Sequence, residues 1–485
     1  MKKILKLIYI AVFFLVCCLP LALWTWFSTE ESVGNTKITS FPQLTDENGN
    51  FNFEFTSEFD SYFAQHLPFR PELISVDSKI KSGLFLGESG NVIVGKDGML
   101  FSKDTLKDYL GESLNERQIY SIAKTLSLIQ DYAEKMNSDF VFVPMPNKNT
   151  VYPQYMPSRY VKGESGLLKL YDAMDKLGVN YINMLDVFEE VQSIGVEGRL
   201  YHDRDTHWNY LGAFYGYNAL MDNLGKYGYY GHISMETRFD WTGDLDSMLY
   251  PRFGILDKQY YLDVPLSDFT IVKPYLKGLS TEDVMKDIMG SSEKNDSSIN
   301  TVNESKNGKL LMFRDSFARA WLPYLADSYK STDITRYYPV NLTALKEDED
   351  TDVVYEIVER NLSNVISDTP NFNMSPIDKN FNAETVQYDD NTANVDILEG
   401  RIKIYGNLSE KYFSDNSDIY VVFESEKGDE IVYEAFPIST GESLYGYSLY
   451  IDTIDFSPGS YNMSVIITDT NSEKSTGYLT EITFE

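Results

Sequence analysis

The sequence predicts an α/β protein whose main sheet is parallel and carries helices on both faces. Between about residues 114 and 360, apolar segments of strand length alternate with segments of helix length. Such alternation is typical of parallel sheets, in which each crossover between strands carries a helix. After residue 395 short apolar runs recur without helices between them. This second pattern predicts a smaller antiparallel β-sandwich at the C-terminus.

The length of the chain agrees with two folded units. At 485 residues it exceeds what one hydrophobic core usually supports. We divide it into an N-terminal membrane segment, a tether, a large α/β domain, a linker and the sandwich, at residues 1–27, 28–50, 51–365, 366–394 and 395–485.

The N-terminus predicts a membrane anchor. Lys2, Lys3 and Lys6 precede an apolar run over residues 7–27, which is long enough to cross a bilayer and longer than a usual signal-peptide core. Lysines on this side place the start in the cytoplasm and the rest outside the cell. No small-residue cleavage site is evident, so an uncleaved single-pass anchor is favoured over a secreted protein with a removed signal.

Charge and cysteine content narrow the function classes. The chain has 42 Lys and Arg against 73 Asp and Glu, a formal net charge of −31. So acidic a surface repels phosphate backbones, which disfavours nucleic acid as a partner. A neutral or amino-bearing glycan is more compatible with the negative electrostatic potential of this protein. Both cysteines, Cys17 and Cys18, lie in the apolar run. The exported part therefore has neither disulfides nor thiolate metal sites.

The elements of the α/β domain follow in chain order. Residues 51–90 carry apolar residues at helical spacing, and residues 91–101 predict a strand, a glycine-containing turn and a return strand. Helices are predicted at 114–136, 164–177, 185–194, 210–224 and 316–329, and strands at 140–144, 179–182 and 309–313. A final pair of segments follows at 334–338 and 351–360. Residues 290–308 are predicted to be a polar surface loop, and 366–394 an interdomain linker.

Ser316 and His207 are the candidates for nucleophile and base. Of the four histidines, His207 lies in a polar turn directly before a predicted helix. Ser316 lies in the stretch 314–317, which directly follows the predicted strand 309–313 and precedes a predicted helix, and this places its hydroxyl at the carboxyl edge of the sheet. Its backbone N–H would then be a donor toward an oxyanion.

A serine needs a neighbouring imidazole to take its proton, and the imidazole needs a carboxylate to fix its tautomer. Asp205, two residues before His207, supplies that carboxylate from the same turn. The alternative is that Ser316 only caps a helix and that Asp205 and His207 only stabilise a loop.

Several stretches occur in an order that resembles a known family: VGKDGMLF at 94–101, VPMPNK at 143–148, VYP at 151–153, DTHW at 205–208, GDL at 243–245, DSF at 315–317 and PYL at 323–325. Residues 80–365 thereby resemble the alginate O-acetyltransferase family with an SGNH-hydrolase-like domain, which includes the DHHW proteins. The resemblance implies that Asp205, His207 and Ser316 are the acid, base and nucleophile. It also implies acetyl transfer onto an exopolysaccharide, often with a membrane-bound O-acyltransferase that hands over the acetyl group.

Four further residues are candidates for oxyanion or substrate binding. In the family's Pro-x-x-Lys stretch this chain reads Pro146, Asn147 and Lys148, and the resemblance makes Asn147 a candidate second oxyanion donor beside Lys148. Arg314 stands where a glycine often precedes the Asp-Ser pair of the family. Trp208 is interpreted either as a ring that stacks on a sugar or as a core residue, and the core is favoured.

Other functions use the same residues. His202, Asp203, Asp205 and His207 could ligate a metal, but no second cluster completes the shell, so neither metal nor cofactor is predicted. If water replaces the sugar as acceptor, the same triad makes the protein a carbohydrate acetylesterase. A non-catalytic surface glycan-binding or assembly protein is the alternative from another class, with the C-terminal sandwich as the binding unit.

Overall fold

The computed structural model describes residues 2–23, 39–45, 50–83, 88–229, 233–267, 269–272, 298–336, 339–398, 400–439, 443–470 and 472–484. Its α-helices are α1 Lys2–Ala22, α2 Phe55–His66, α3 Arg70–Gly83, α4 Leu106–Leu110, α5 Glu116–Lys135, α6 Lys148–Val151, α7 Gly166–Leu177, α8 Met184–Ser193, α9 Tyr210–Asn223, α10 Asp244–Leu249 and α11 Leu322–Ser328.

The strands up to residue 358 are β1 Glu88–Ser89, β2 Val92–Val94, β3 Leu100–Ser102, β4 Asp139–Met145, β5 Met235–Trp241, β6 Asp257–Leu262, β7 Thr270–Ile271, β8 Ser298–Val302, β9 Lys309–Phe313, β10 Ser331–Thr335 and β11 Thr351–Val358. Those after it are β12 Asn373–Met374, β13 Glu384–Thr385, β14 Asn394–Leu398, β15 Arg401–Asn407, β16 Asp418–Ser425, β17 Glu430–Glu434, β18 Phe436–Ile438, β19 Gly446–Asp452, β20 Gly459–Thr468 and β21 Glu473–Phe484.

Helix α1 covers most of the predicted membrane segment, and residues 24–27 of that segment lie outside the described residues. Across the described ranges, no helix combines the length and the apolar character needed to cross a bilayer. The anchor therefore stays a prediction from the sequence.

The main sheet has six strands in the order β4-β11-β9-β10-β8-β7. The first four run parallel to their neighbours, whereas β8 is antiparallel to β10 and β7 is antiparallel to β8. The mixed α/β class predicted from the sequence is confirmed. Strand β8 corrects the prediction of a loop over 290–308, since Ile299 and Thr301 alternate toward a buried face. Residues 290–297 of that loop lie outside the described residues.

Helices cover both faces of this sheet. Successive residues of a strand point to opposite faces, so one strand contributes to two hydrophobic clusters. Leu310 and Met312 join a cluster with residues of α8, α9 and α11, while Leu311 and Phe313 join a cluster with residues of α5 and α7. Of these helices, α5 begins with a capping box in which Asn115 and Gln118 each accept a hydrogen bond from the other's backbone N–H.

The C-terminal part consists of two further sheets, with the orders β12-β19-β15-β14 and β13-β21-β20-β16-β17, and β18 pairs with β19. Buried residues of both sheets meet in one hydrophobic cluster. The predicted linker 366–394 contributes the short strands β12 and β13 to these sheets. Helix α5 contacts this part directly, because Arg117 donates to the Ser417 carbonyl oxygen at 2.6 Å and Lys124 pairs with Glu434 at 2.6 Å.

Strands β4, β9 and β11 end at the same edge of the main sheet, and their following loops meet there. After β9 the sequence predicts one helix over 316–329, and this prediction is wrong in part. The chain forms a 3-10 turn, Phe317–Trp321, and only then α11. Pro323 lies in the first turn of α11, where its missing N–H leaves no bond unmade.

Candidate active site

The structure brings Asp205, His207 and Ser316 into one hydrogen-bonded chain. His207 Nδ1 lies 2.7 Å from Asp205 Oδ1, and His207 Nε2 lies 2.8 Å from Ser316 Oγ. Asp205 Oδ1 also accepts from the His207 backbone N–H at 2.9 Å, so the turn itself holds the acid against the base. Asn209 ends this turn by capping α9, since its Oδ1 accepts from the Gly212 N–H at 3.0 Å. Ser316 belongs to a different element, the turn after β9.

The turn that carries Ser316 is fixed by the carboxylate that precedes it. Asp315 Oδ1 accepts from the Phe317 N–H and Oδ2 accepts from the Val358 N–H, both at 2.8 Å. The Asp315 N–H in turn donates to Glu356 Oε2 at 3.0 Å. Burial raises the pKa of Glu356 well above its usual value, with the charge of Asp315 adding to the effect. These contacts tie the nucleophile turn to β11.

The backbone N–H of Ser316 has no hydrogen-bond partner among the described residues, whereas the N–H groups of Asp315 and Phe317 on either side are both bonded. A free N–H next to the nucleophile is the donor that a developing oxyanion needs. The sequence predicts this donor at Ser316, and in the structure its N–H is available to a ligand.

The Asp205 carboxylate is fully occupied by donors. Besides His207 on Oδ1, its Oδ2 accepts from Trp241 Nε1 and from the Asp244 N–H, both at 3.0 Å. Burial works against its ionisation, but the hydrogen bonds and charge of His207, with the charge of His202, outweigh burial and hold the pKa of Asp205 well below its usual range. Asp205 is therefore an ionised partner for His207 at neutral pH.

Trp241 and Asp244 are site residues that the sequence reasoning missed. Asp244 Oδ1 accepts from the Thr206 N–H at 2.8 Å, and Asp244 Oδ2 accepts from Thr206 Oγ1 at 2.5 Å. These two bonds fix Thr206, which lies between Asp205 and His207 in the sequence. The GDL stretch at 243–245 belongs to the resemblance, and it is the signal that could have indicated Asp244. Trp241 ends β5, in a region without regular alternation, and has no such signal.

Trp208 is a core residue and not a sugar-stacking ring. Only 3% of it is exposed, and its ring centroid lies 5.2 Å from that of Trp321. Its Nε1 donates to the Phe317 carbonyl oxygen at 2.9 Å. Since Trp208 follows His207 and Phe317 follows Ser316, this bond joins the two turns that carry the candidate base and nucleophile.

The other candidate binding residues are buried and have partners within the protein. Asn147 is fully buried and its Nδ2 donates to Asp108 Oδ2 at 2.9 Å, so its amide is directed away from solvent and its predicted oxyanion role has no support in these contacts. Arg314 is also fully buried and its Nη1 donates to the Asp315 carbonyl oxygen. Neither side chain can contact a substrate from solvent in this arrangement.

Lys148 binds the backbone of the turn that carries Asp205 and His207. Its Nζ donates to the carbonyl oxygens of His202, Asp203 and Asp205, at 3.1, 3.2 and 2.6 Å. Burial lowers the pKa of Lys148 to about 8, although nearby carboxylates favour its charged form. The predicted substrate-binding role is replaced by a positioning role, because the side chain is only 4% exposed.

The ligand atoms that a metal would use are already engaged. Within the described ranges, the group whose carboxylate and imidazole atoms lie within 4.8 Å of one another is Asp205, His207 and Asp244. Both ring nitrogens of His207 and both oxygens of each carboxylate take part in the hydrogen bonds given above. Asp203, of the metal-site alternative, pairs instead with Arg199.

The pH dependence of the site follows from His207. Burial lowers the pKa of His207, but the hydrogen bond and charge of Asp205, with the charge of Asp244, raise it above 6.5 overall. Because only the neutral imidazole accepts a proton from Ser316, we expect kcat/KM for a neutral acetyl ester to fall as pH decreases through this raised pKa. Rates from about pH 5 to about pH 9 measure the inflection. A rate that does not change over this range would contradict the role of His207 as base.

Comparison with known proteins agrees with the resemblance seen in the sequence. Residues 92–248 match the family model described as "SGNH hydrolase-like domain, acetyltransferase AlgX", which confirms that resemblance. The match includes Asp205 and His207 and ends before Ser316. No curated protein matches the chain.

Solved structures resemble the chain more distantly. A DHHW family protein from Eubacterium siraeum is 18% identical, with a TM-score of 0.42 over 57% of this chain and 93% of that one. PatB1 of Bacillus cereus is 18% identical, with a TM-score of 0.43 over 56% and 96%. The O-acetyltransferase domain of Pseudomonas putida AlgJ is 16% identical, with a TM-score of 0.37 over 56% and 92%. None of these similarities assigns a role to a residue of this chain.

Proposed function

We propose that this protein is an extracytoplasmic O-acetyltransferase that moves acetyl groups onto hydroxyls of a cell-surface or exopolysaccharide through an acyl-enzyme at Ser316. The hydrogen-bonded chain Asp205–His207–Ser316 is the observation that carries the proposal. The match to a domain described as an acetyltransferase supports acetyl as the transferred group. The polysaccharide acceptor is what the resemblance to the alginate O-acetyltransferase family implies.

In the first half of the reaction, Ser316 Oγ attacks the acetyl carbonyl carbon and its proton passes to His207 Nε2. The carbonyl oxygen becomes negative in the tetrahedral intermediate, where the Ser316 N–H can donate to it. When the bond to the donor's leaving group breaks, His207 returns the proton to that group. Asp205 stays ionised and stabilises the imidazolium formed between these steps.

In the second half a sugar hydroxyl replaces the leaving group. It gives its proton to His207 Nε2 as its oxygen attacks the acetyl carbon, and collapse of the intermediate releases the acetylated sugar and the Ser316 hydroxyl. About a quarter of the His207 side chain is exposed, so an acceptor can approach the base directly. No cofactor takes part in this scheme.

The location is proposed from the sequence. Three lysines followed by the apolar run 7–27 support a single-pass anchor with the catalytic part outside the membrane. This would hold the site beside a membrane-bound O-acyltransferase that delivers the acetyl group. We further propose that the two C-terminal sheets form a β-sandwich, which their shared hydrophobic cluster supports.

A transfer assay separates this function from the esterase alternative. The full chain, solubilised in detergent, is given a chromogenic acetyl ester with neutral, amino-sugar or uronic-acid oligosaccharides, and the products are analysed by mass spectrometry. We expect an acetylated oligosaccharide that wild type forms and Ser316→Ala does not. Ester hydrolysis without any acetylated sugar would favour the acetylesterase, and no Ser316-dependent reaction would favour a glycan-binding protein.

A further inference from the structure

Arg360 is a cation at the catalytic edge. Among the residues that the structure describes it makes neither a hydrogen bond nor an ion pair, and its guanidinium lies over the ring of Phe317. The charge of Arg360 also reaches Asp108, where it works against the raised pKa of that buried carboxyl, but the two are not within ion-pair distance. By contrast, Arg199 and Arg204, on the catalytic loop, are paired with Asp203 and Asp246. A half-buried arginine that forms no ion pair with the described carboxylates leaves its five donors for a ligand.

The backbone places Arg360 between the nucleophile and the loop of Asn147. In the sheet Val358 lies opposite Met145 of β4, so Arg360 leaves the edge level with the residues that follow β4. On the other side the Val358 N–H donates to Asp315, the residue before Ser316. Arg360 is therefore two residues beyond a contact that fixes the nucleophile turn.

The guanidinium of Arg360 and the imidazole of His207 both lie near the ring of Phe317, the residue after Ser316. Arg360 Cζ lies 5.6 Å from the centre of the Phe317 ring, and the His207 ring lies 4.9 Å from the same ring. The positive charge of Arg360 is felt at His207, where it opposes the raised pKa of the imidazole. The charge of Arg360 disfavours protonation of His207. The role of Arg360 is therefore not to stabilise the imidazolium.

The site also lacks one donor. A tetrahedral intermediate at Ser316 is stabilised by two donors in most acyl-transfer sites, and here the Ser316 N–H supplies one. Asn147, the residue predicted for the second, is fully buried and donates to Asp108. A guanidinium binds an anionic oxygen through charge-assisted hydrogen bonds, which are stronger than those of a neutral amide.

We infer that Arg360 donates to the oxyanion of the tetrahedral intermediate at Ser316, in the place predicted for Asn147. The inference rests on the proposed acyl-enzyme function. Before the acetyl carbonyl is attacked its oxygen is neutral and Arg360 binds it weakly. When Ser316 Oγ bonds to the carbon, the negative oxygen is held between the Ser316 N–H and the guanidinium, and the contact is lost again as the intermediate collapses.

The test uses a neutral acetyl ester, so that an oxyanion is the only negative oxygen on the substrate. In the full chain Arg360→Met is expected to lower kcat by about 10²- to 10³-fold with little change in KM. Arg360→Lys keeps the charge and should retain part of the rate, and millimolar guanidinium ion should partly restore Arg360→Met. Arg360→Gln, which keeps polar donors without the charge, replaces the methionine variant if that one does not fold. Arg159→Met removes an arginine that pairs with Glu88 at the surface, and it should leave the rate unchanged.

Four outcomes would overturn the inference. These are a Ser316-dependent rate that Arg360→Met and Arg360→Gln leave within about threefold of wild type, a change in KM alone, no rescue by guanidinium, and a loss seen only with acidic oligosaccharide acceptors. The last would assign the charge to the acceptor sugar. Equal hydrolysis by wild type and Ser316→Ala would overturn the proposed function together with this inference.

Discussion

Replacing Ser316 by alanine is expected to remove acetyl-ester turnover almost completely. The substitution deletes the oxygen that bonds to the acetyl group, while Asp205 and His207 keep their own hydrogen bond, so a folded protein without a nucleophile remains. In serine hydrolases the loss of this group lowers kcat by roughly 10⁴- to 10⁶-fold. The burst of chromogenic product in the first turnover, which reports the acyl-enzyme, should disappear as well.

Ser367→Ala is the matched control for this variant. Ser367 is exposed at the end of the 3-10 turn after β11, and its hydroxyl donates only to the nearby Asn364 carbonyl oxygen. We expect its rate and burst to equal those of wild type. If Ser316→Ala retains the burst, another residue is the nucleophile and the triad proposed here is wrong.

Replacing Asp205 by asparagine is expected to lower kcat by about 10⁴-fold, because the amide no longer stabilises the imidazolium and can hold the wrong tautomer of His207. The amide also presents an NH₂ group to donors. If the NH₂ takes the place of Oδ2, it opposes Trp241 Nε1 and the Asp244 N–H, and if it takes the place of Oδ1, it opposes the His207 backbone N–H. One of these buried contacts must break in either orientation.

The same variant changes the pH profile in a defined direction. Asp205 is the main group that raises the pKa of His207, while burial lowers it. Without the charge of Asp205, the residual activity should therefore persist to lower pH than in wild type. Asp203→Asn is the control, since Asp203 lies in the same turn but pairs with Arg199. A rate for Asp205→Asn within about tenfold of wild type, or a profile shifted to higher pH, would contradict the assigned role.

The sequence predicts the catalytic turns because each is short and lies next to a regular element. Asp205 and His207 stand before α9, and Ser316 stands after a strand that is apolar at every inward position, so the local pattern places them at one edge of the sheet. Strand β8 is different. Its residues are Ser, Ile, Asn, Thr and Val, and only Ile299 and Thr301 are buried, so its composition resembles that of a loop.

Contacts between distant segments are what the sequence does not predict. The family stretch around Lys148 suggests Asn147 as an oxyanion donor, yet its amide donates to Asp108 of the short helix α4, and no local pattern pairs these two residues. Trp241 reaches Asp205 only because β5 and β6 form a hairpin beside the catalytic turn. Arg360 follows a strand whose neighbours in the sheet come from residues 139–145 and 309–313, so its position beside Phe317 depends on the strand order.

The bond from Trp208 Nε1 to the Phe317 carbonyl oxygen has a consequence for how the chain tolerates insertions. It joins the residues next to the base and the nucleophile, which are 109 positions apart in sequence. With the two turns tied to each other directly, the distance from His207 to Ser316 does not depend on the path of the chain between them. Loops in that interval, apart from the segment 241–244 that contacts Asp205 and Thr206, can lengthen or shorten at a small entropic cost and leave the distance between His207 and Ser316 unchanged.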